Sequence, residues 1–189
     1  LHKNGTLNYI KSLFMNILEI LFNSVKLILT LDPILYEIIF LSLKVSLTAL
    51  IISSFFGVIV GYLMALKKFY LKKVLIVIFN SLMGIPPVVV GLIVYFLLAK
   101  AGPLGVLQLL YTPSAMILAQ TIIIFPIVIS LSHEIFSQNW LKFRDHFRAF
   151  NIPLVAVLII LIRHSYFVLT TILLTGFGRA ISEVGAVMI

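Results

Sequence analysis

The chain has 189 residues, of which 62% are hydrophobic and only 11% are charged, and its net charge is +8. A soluble domain carries about a quarter charged residues, so a soluble globular protein is excluded. The mean hydropathy of +1.21 indicates instead a protein that uses the lipid bilayer as its solvent. Because the chain has no cysteine, disulfides, thiolate metal sites and cysteine nucleophiles are also excluded.

The N-terminal segment, residues 1–31, mixes apolar residues with charges. Lys11, Glu19 and Lys26 are spaced seven or eight residues apart, which places them near one face of a helix. The pattern favours an amphipathic helix over residues 10–31 that lies on the membrane surface. A first membrane span in the same segment is the alternative.

The first span is predicted from about residue 38 to residue 66. Asp32 and Pro33 form a helix start ahead of it, because aspartate caps a first turn and proline fits the first helical position. Gly57 and Gly61 form a G-x-x-x-G pattern within the span. Such a pattern permits a second helix to approach closely on that face.

A second span, residues 74–98, is interrupted by residues that break a helix. Proline frees backbone carbonyls that lipid cannot satisfy, so a break of this kind survives where the segment packs in protein or lines a polar path. Two interpretations remain open: a kinked helix that lines a translocation path, or a kink that serves packing alone. The residues concerned are Gly84, Pro86, Pro87 and Gly91.

A third span is predicted over residues 114–131, and a polar segment, residues 133–151, follows it. In this segment aromatic side chains alternate with charges, so exposed aromatic residues are expected there. A short helix that docks into a groove of a partner protein and an interfacial helix resting on lipid headgroups both fit this composition. The aromatic residues are Trp140, Phe143, Phe147 and Phe150.

Half of the 14 lysines and arginines lie in this polar segment and in the short segment 67–73 between the first two spans. Lysine and arginine accumulate in cytoplasmic loops, so both segments are predicted to be cytoplasmic, and residues 100–113 and the start of the first span external. The distribution is not that of a nucleic-acid-binding face, and no nucleic-acid partner is expected. The basic residues are Lys67, Lys68, Lys72, Lys73, Lys142, Arg144 and Arg148.

The chain from residue 152 onward allows two interpretations. A single span over residues 153–178 would place Arg163 and His164 near its middle, where an unpaired charge is costly. A short surface helix over residues 153–163 followed by a fourth span over residues 165–189 keeps these two residues at the interface. The second interpretation is therefore preferred.

Arg179 and Glu183 lie four residues apart in the last span, so they are predicted to pair along one helix face. Ionisable residues inside a membrane are candidates for function, and a pair that only fixes helix packing is the alternative. The chain ends within an apolar run, so a C-terminal truncation is expected. Without a G-x-x-x-x-G-K-[ST] motif, H-E-x-x-H or metal-ligand spacing of its histidines, it is predicted to hold no nucleotide, cofactor or metal.

Three runs, MGIPPVVVGLIVYFLL, AGPLGVLQLLYTPSAMILAQ and GFGRAISEVGAVM, resemble the type 1 ABC importer permeases, and within them the tungstate group. The resemblance covers about residues 30–189. It implies an all-α polytopic helical bundle: an interfacial N-terminal helix, then about four spans over residues 32–189, with one more span missing at the C-terminus. A coupling loop is implied at about residues 133–164.

The resemblance also implies partners and a function. A homodimer of this permease would sit on two copies of a cytoplasmic ATP-binding subunit, receive an oxyanion from an external substrate-binding protein, and lie in the plasma membrane of a prokaryote. The chain itself would then be a transport subunit and not an enzyme. Tungstate is the expected substrate, with molybdate or sulfate as alternatives.

The family's docking helix has the form E-A-A-x-x-x-G. In this chain the acid corresponds to Asp145, followed by His146, while Phe147 replaces the second alanine and Asn151 the glycine. Asparagine tolerates the left-handed conformation that a glycine adopts, so the turn is expected to survive. The contact with the ATP-binding subunit is accordingly expected at Trp140, Phe143, Arg144, Asp145, His146, Phe147 and Asn151.

Three other classes of membrane protein are alternatives to a permease subunit. A secondary transporter would require inverted repeats and a midplane ion site, which the sequence does not show. A membrane-embedded enzyme would require a catalytic cluster within the spans, where only Arg179 and Glu183 qualify. A non-transporting membrane scaffold subunit is a third alternative, because the docking motif is altered at Phe147 and Asn151.

Overall fold

The computed structural model describes residues 33–182 together with Met15, Glu19 and Ile20. The interfacial helix expected at residues 10–31 lies almost wholly outside the described residues, as does Glu183. Residues up to Leu41 and residues from Ser42 onward belong to two separate compact units. All the packing described below lies within the second unit.

The described residues form α-helices, with one 3-10 turn at Gly105–Leu107 and no β-strand. The all-α fold predicted from the sequence is thereby confirmed. The helices are α1 (Pro33–Leu66), α2 (Lys72–Leu82), α3 (Pro87–Leu98), α4 (Pro113–Ala149), α5 (Leu154–His164) and α6 (Tyr166–Ser182).

Two of these helices, α1 and α4, are each long and apolar enough to cross a membrane. The pair α2 and α3 is bent by 103° and the pair α5 and α6 by 78°, and each pair would add one broken span. The described residues thus hold two to four candidate spans, in keeping with the polytopic bundle expected.

Helix α4 lies at the centre of the packing. Its buried residues Ile124, Val128 and Phe136 belong to one apolar core with residues of α1, α5 and α6. A Cβ atom added at Gly57 would lie 2.9 Å from Val128 Cγ1, and one added at Gly61 would lie 2.9 Å from the carbonyl oxygen of Ile129. The close helix approach predicted from the G-x-x-x-G pattern is confirmed.

The structure differs from the sequence prediction at the end of the third span. That span was expected to end at Leu131, but α4 continues without interruption to Ala149. Neither glycine nor proline occurs between Ile127 and Phe150, and the glutamate, glutamine and lysine residues of this stretch are good helix formers. The predicted polar segment is therefore mostly a helical extension of the third span.

The break between α2 and α3 has a local cause. Pro87 stands at the start of α3, and Pro86 before it has an extended backbone, with φ −61° and ψ 134°. A residue that precedes proline is driven out of the helical region, so α2 cannot continue through Pro86. The interruption predicted from the sequence is confirmed, and at 103° it is a sharp turn instead of a kink within a span.

The helix break predicted near Arg163 and His164 is present, whereas the placement of the first helix at the membrane surface and of the second as the fourth span stays a prediction. Helix α5 ends at His164 and α6 begins at Tyr166. Asn139 Nδ2 donates a hydrogen bond of 2.7 Å to Ser165 Oγ, which ties the bend to α4. At the other end of α5, the Tyr62 hydroxyl donates to the Leu154 carbonyl oxygen at 2.6 Å, which links α5 to α1.

Candidate functional site

The residues of the broken segment shape its turn and its packing. Gly84 and Pro86 are exposed in the turn, whereas Pro87 and Gly91 are buried. Gly91 lines a small gap of about 20 Å³ where α3 packs on α4. None of these four residues lines a polar cavity among the described residues.

An apolar cavity of about 250 Å³ lies between α2, α3 and α4, next to the turn that joins α2 to α3. Its wall is formed by aliphatic and aromatic side chains, together with Pro126 of α4. An apolar wall offers no hydrogen bonds to an ion, so this cavity is unsuited to a charged solute. The lining residues include Phe79, Met83, Ile85, Ile122 and Phe125.

A second cavity between α2 and α4 is polar, and we call it the α2–α4 groove. It encloses about 390 Å³, and six of its eight lining residues are polar. On α4 the lining residues recur every three or four positions from 130 to 141, so they lie on one helix face. The groove is lined by Ile76, Asn80, Ser130, His133, Glu134, Ser137, Gln138 and Leu141.

Two polar atoms of this groove are buried without a hydrogen-bond partner among the described residues. They are Ser130 Oγ and His133 Nε2, and Ser130 as a whole is only 8% exposed. An unsatisfied buried polar group costs about 1–3 kcal/mol, so water or a polar solute in the groove would stabilise these two atoms. The Ser132 hydroxyl, which faces away from the groove, is likewise without a partner among the described residues.

Charged side chains lie at the same groove. Lys72 and Glu134 both act electrostatically on the His133 ring. The Lys72 ammonium donates a hydrogen bond of 3.1 Å to the carbonyl oxygen of Ala65, near the C-terminus of α1. Such a cation stabilises the negative end of the helix dipole. The groove wall therefore has one carboxylate and several uncharged polar groups, and Lys72 lies near the groove without lining it.

A further groove of about 280 Å³ lies between α4 and α6. It shares Glu134 and Gln138 with the α2–α4 groove and adds Thr171 and Thr175 from α6. Both threonine hydroxyls donate back to their own helix, to the carbonyl oxygens four residues earlier, at 3.0 Å and 2.8 Å. This groove therefore offers fewer free donors to a solute.

The aromatic residues at the C-terminal end of α4 pack inward. Trp140 stacks on Phe147 with 6.1 Å between the ring centroids, and Phe143 packs edge-on against His164 of α5 at 5.1 Å. The expectation of exposed aromatic residues is wrong for Phe147, which is only 8% exposed. The bulk that replaces a small residue here fills the space between α4 and α5.

The charged residues of the same segment face outward. Asp145 is 81% exposed and forms an ion pair of 3.5 Å with Arg144, and His146 and Asn151 are exposed as well. Of the aromatic residues, Phe150 is the exposed one, at 76%. The residues predicted to contact the ATP-binding subunit thus divide into a polar set that is exposed except for the half-buried Arg144, and an aromatic set in which Phe147 is buried and Trp140 and Phe143 are half-buried.

Asn151 ends this helix in the left-handed conformation, with φ 49°, which confirms the prediction for that turn. Its N–H donates to the carbonyl oxygen of Arg148, and the N–H of Ile152 donates to that of Phe147. This pair of bonds is the Schellman motif of helix C-termini. Ile152 and Phe147 belong to the same apolar cluster, and Pro153 then prevents further helix.

Near the end of α6, Arg179 is half-buried. The amide of Gln120 in α4 donates a hydrogen bond of 3.3 Å to the carbonyl oxygen of Ala180. Gly176 lies against α1 and α4, since a Cβ atom added there would be 3.2 Å from Leu50 Cδ1 and 3.1 Å from Ile124 Cγ2. The predicted pairing of Arg179 with Glu183 lies outside the described residues.

Sequence reasoning missed the residues of the α2–α4 groove. A signal was present, because the polar residues from Ser130 to Gln138 repeat at helical spacing. They were interpreted as the edge of a loop, and nothing in the sequence indicated that Asn80 faces them.

The helices and grooves define a polytopic, membrane-embedded helical protein with polar recesses between its helices. No protein-family model matches the chain. The tungstate uptake system permease protein of Peptoclostridium acidaminophilum is 39% identical over 166 residues, which cover 88% of this chain and 73% of that protein. The chain belongs to the family of ABC importer permeases, close to the tungstate permeases.

Two other relatives agree with this assignment. A "probable anion ABC transporter permease protein" of Haloferax volcanii is 37% identical over 155 residues, 82% of this chain and 67% of that protein. The tungstate uptake system permease protein of Campylobacter jejuni is 36% identical over 126 residues, 65% of this chain and 51% of that protein.

Proposed function

We propose that this protein is the membrane-spanning permease subunit of an ATP-driven oxyanion importer, and that its substrate is tungstate. The observation that carries the proposal is the 39% identity to a tungstate uptake permease over 88% of the chain. The polar groove beside α4 is consistent with passage of a hydrophilic solute. Molybdate and sulfate are the competing substrates, since they are tetrahedral dianions as well.

The energy source in this proposal is a separate cytoplasmic ATP-binding subunit, because the chain has no phosphate-binding loop of the G-x-x-x-x-G-K-[ST] type. An external substrate-binding protein delivers the anion. Two copies of the permease enclose the path in the plasma membrane of a prokaryote, since four or five spans from one chain are too few to enclose it alone.

The contact with the ATP-binding subunit is proposed at the C-terminal end of α4. The exposed residues Asp145 and His146 and the half-buried Arg144 form the contact surface. The buried Phe147 and the half-buried Trp140 and Phe143 act indirectly, because they hold that surface against α5. Asn151 fixes the end of the helix.

Oxyanion uptake by cells that lack the gene tests the proposal. Cells complemented with the gene are expected to accumulate tungstate from nanomolar concentrations, as measured by elemental mass spectrometry of washed cells. Molybdate and sulfate are supplied in parallel and in competition. Uptake of sulfate but not of tungstate would make sulfate the substrate in place of tungstate. If the complemented cells take up none of the three oxyanions, the proposed function is wrong.

A non-transporting scaffold is distinguished in the same cells. The permease is expected to retain its ATP-binding subunit through purification in mild detergent, and tungstate-loaded binding protein is expected to stimulate ATP hydrolysis by the reconstituted complex. Retention of the subunit without stimulated hydrolysis and without uptake would favour the scaffold.

A further inference from the structure

The α2–α4 groove is not suited to an acyl chain of a lipid. Asn80, Ser130, Ser137 and Gln138 carry uncharged polar groups, and His133 and Glu134 complete a wall of which only two of eight residues are apolar. Hydrocarbon against such a wall would leave the polar groups without partners, at a cost of several kcal/mol for each. About half of the exposed wall is nevertheless apolar, so it is the six polar residues that favour water or a polar solute as the occupant of the groove.

The donors of the groove suit an anion. Hydroxyl groups, amide nitrogens and a ring N–H can each donate a hydrogen bond to an oxyanion without neutralising it. The buried Ser130 Oγ has no partner among the described residues, whereas the threonine hydroxyls of the α4–α6 groove donate to their own helix. In the α2–α4 groove Gln138 Nε2 donates to Glu134 Oε1 at 3.5 Å, so the spare donors of this groove are those of Asn80, Ser130 and Ser137.

The charges of the groove oppose one another. Lys72 is the first residue of α2 and belongs to the predicted cytoplasmic segment 67–73, so it attracts an anion toward that side. Glu134 lies on the groove wall itself and repels a dianion. Such an arrangement lets an anion enter and prevents it from being held tightly, as a transport path requires.

We propose that the α2–α4 groove is a transient oxyanion-binding station on the cytoplasmic side of the translocation path. Asn80, Ser130 and Ser137 donate hydrogen bonds to the anion in place of water. The negative charge of Glu134 shortens the time for which the anion stays bound. This assignment rests on the proposed function and gives it a location. It places the station beside the broken segment and not on the segment's glycines and prolines.

Hydroxyl deletion tests the station, with uptake as the readout. The double variant Ser130→Ala with Ser137→Ala is expected to lower tungstate uptake at limiting concentration by about 100-fold, because each lost donor to a charged solute weakens binding by about 10-fold. Ser132→Ala is the matched control: its hydroxyl is buried on the same helix but packs toward Gly61 of α1. The control is expected to transport normally.

Cysteine protection gives a second readout that does not depend on transport. The chain has no native cysteine, so Ser137→Cys and Asn80→Cys introduce single thiols. In inside-out membrane vesicles with the ATP-binding subunit present, a small anionic thiosulfonate reagent is expected to modify both, and tungstate to slow both reactions. Tyr70→Cys, at a fully exposed position, is expected to react without protection. Glu134→Gln is then added to the Ser137→Cys variant. Because it removes the negative charge that repels the anion, it is expected to lower several-fold the tungstate concentration that protects the cysteine at position 137 from the reagent.

The outcomes separate the station from the function. The station is refuted if the unsubstituted protein imports tungstate and the double variant takes up as much tungstate as Ser132→Ala. It is also refuted if the reagent modifies Ser137→Cys and tungstate never slows that reaction. In either case the groove holds only water. If the unsubstituted protein imports no oxyanion, the proposed function fails first. Normal membrane abundance of each variant, measured by immunoblot, is required for the uptake comparison, and the protection assay decides for any variant of low abundance.

Discussion

At the scale of single residues, neighbouring side chains at the C-terminal end of α4 differ in exposure. Phe147 is buried against Trp140 and Phe143, while Asp145, two residues earlier, is 81% exposed. The sequence predicted exposed aromatic residues in this segment, which is right for Phe150 and wrong for Phe147. It did not predict which aromatic residue faces inward, because that depends on where α5 lies.

Replacement of Phe147 by alanine is expected to destabilise the protein. Loss of a buried phenylalanine leaves a cavity, and the free energy of unfolding should fall by about 3–5 kcal/mol. Phe150→Ala is the matched control, since Phe150 is 76% exposed, and should change stability by less than about 0.5 kcal/mol. Thermal melting of the detergent-purified protein measures both. Equal melting temperatures for the two variants would contradict the buried packing of Phe147.

Asp145→Lys is expected to weaken binding of the ATP-binding subunit while leaving the fold intact. The substitution reverses a charge that is exposed and carries only a surface ion pair with Arg144, so its effect on stability should be under about 1 kcal/mol. Co-purification of the subunit measures the assembly, with Lys142→Glu as a charge reversal elsewhere on the segment. Full recovery of the ATP-binding subunit with Asp145→Lys would place the contact elsewhere.

At the scale of elements, local rules explain what the sequence revealed and what it did not. The proline pair at 86–87 and the left-handed Asn151 obey backbone sterics, which act on a few neighbouring residues, so both features were predictable. The uninterrupted α4 was not predicted, because its polar half was interpreted as a loop although it contains good helix formers. The α2–α4 groove requires two elements distant in sequence, and periodicity on one helix does not identify the other.

The contact between α1 and α4 depends on glycine. A Cβ atom at Gly61 would lie 2.9 Å from backbone atoms of Ile129 and His133, and backbone cannot move aside as a side chain can. Gly61→Ala is therefore expected to lower the free energy of unfolding by about 1–3 kcal/mol. At Gly178, where a Cβ atom would meet nothing within 4 Å, alanine should be neutral or stabilise α6 by up to about 1 kcal/mol. Similar melting temperatures would argue against the close approach of the helices.

At the scale of the whole molecule, the basic residues predict the orientation in the membrane. The segment 67–73 is expected to face the cytoplasm and residues 100–113 the exterior. Family membership was predictable from three sequence runs and is supported by the relatives, but the choice among tetrahedral oxyanions has no physical basis in this chain. Selectivity among them is expected to reside mainly in the substrate-binding protein.

The orientation is tested by cysteine labelling with an impermeant reagent. Val106 is 91% exposed in the predicted external loop, and Tyr70 is fully exposed in the predicted cytoplasmic segment. Val106→Cys should react in intact spheroplasts, whereas Tyr70→Cys should react only after the membrane is permeabilised. The cysteine-free parent protein is the control. The reverse pattern would invert the orientation of every span.

The continuity of α4 has a mechanical consequence. A helix of 37 residues is about 55 Å long, nearly twice the thickness of the hydrocarbon core of about 30 Å. Pro126 lies inside this helix, so the part without a helix breaker is the stretch from Ile127 to Ala149. A tilt of 10° about the midpoint of the whole helix would displace each end by about 5 Å. The ion pair of Arg144 and Asp145 lies near one end, and the groove residues Ser130 to Gln138 lie near the midpoint. A displacement of several ångströms at the predicted cytoplasmic end of α4 would thus be accompanied by a much smaller displacement at the groove. The smaller displacement is of the size that makes or breaks one hydrogen bond.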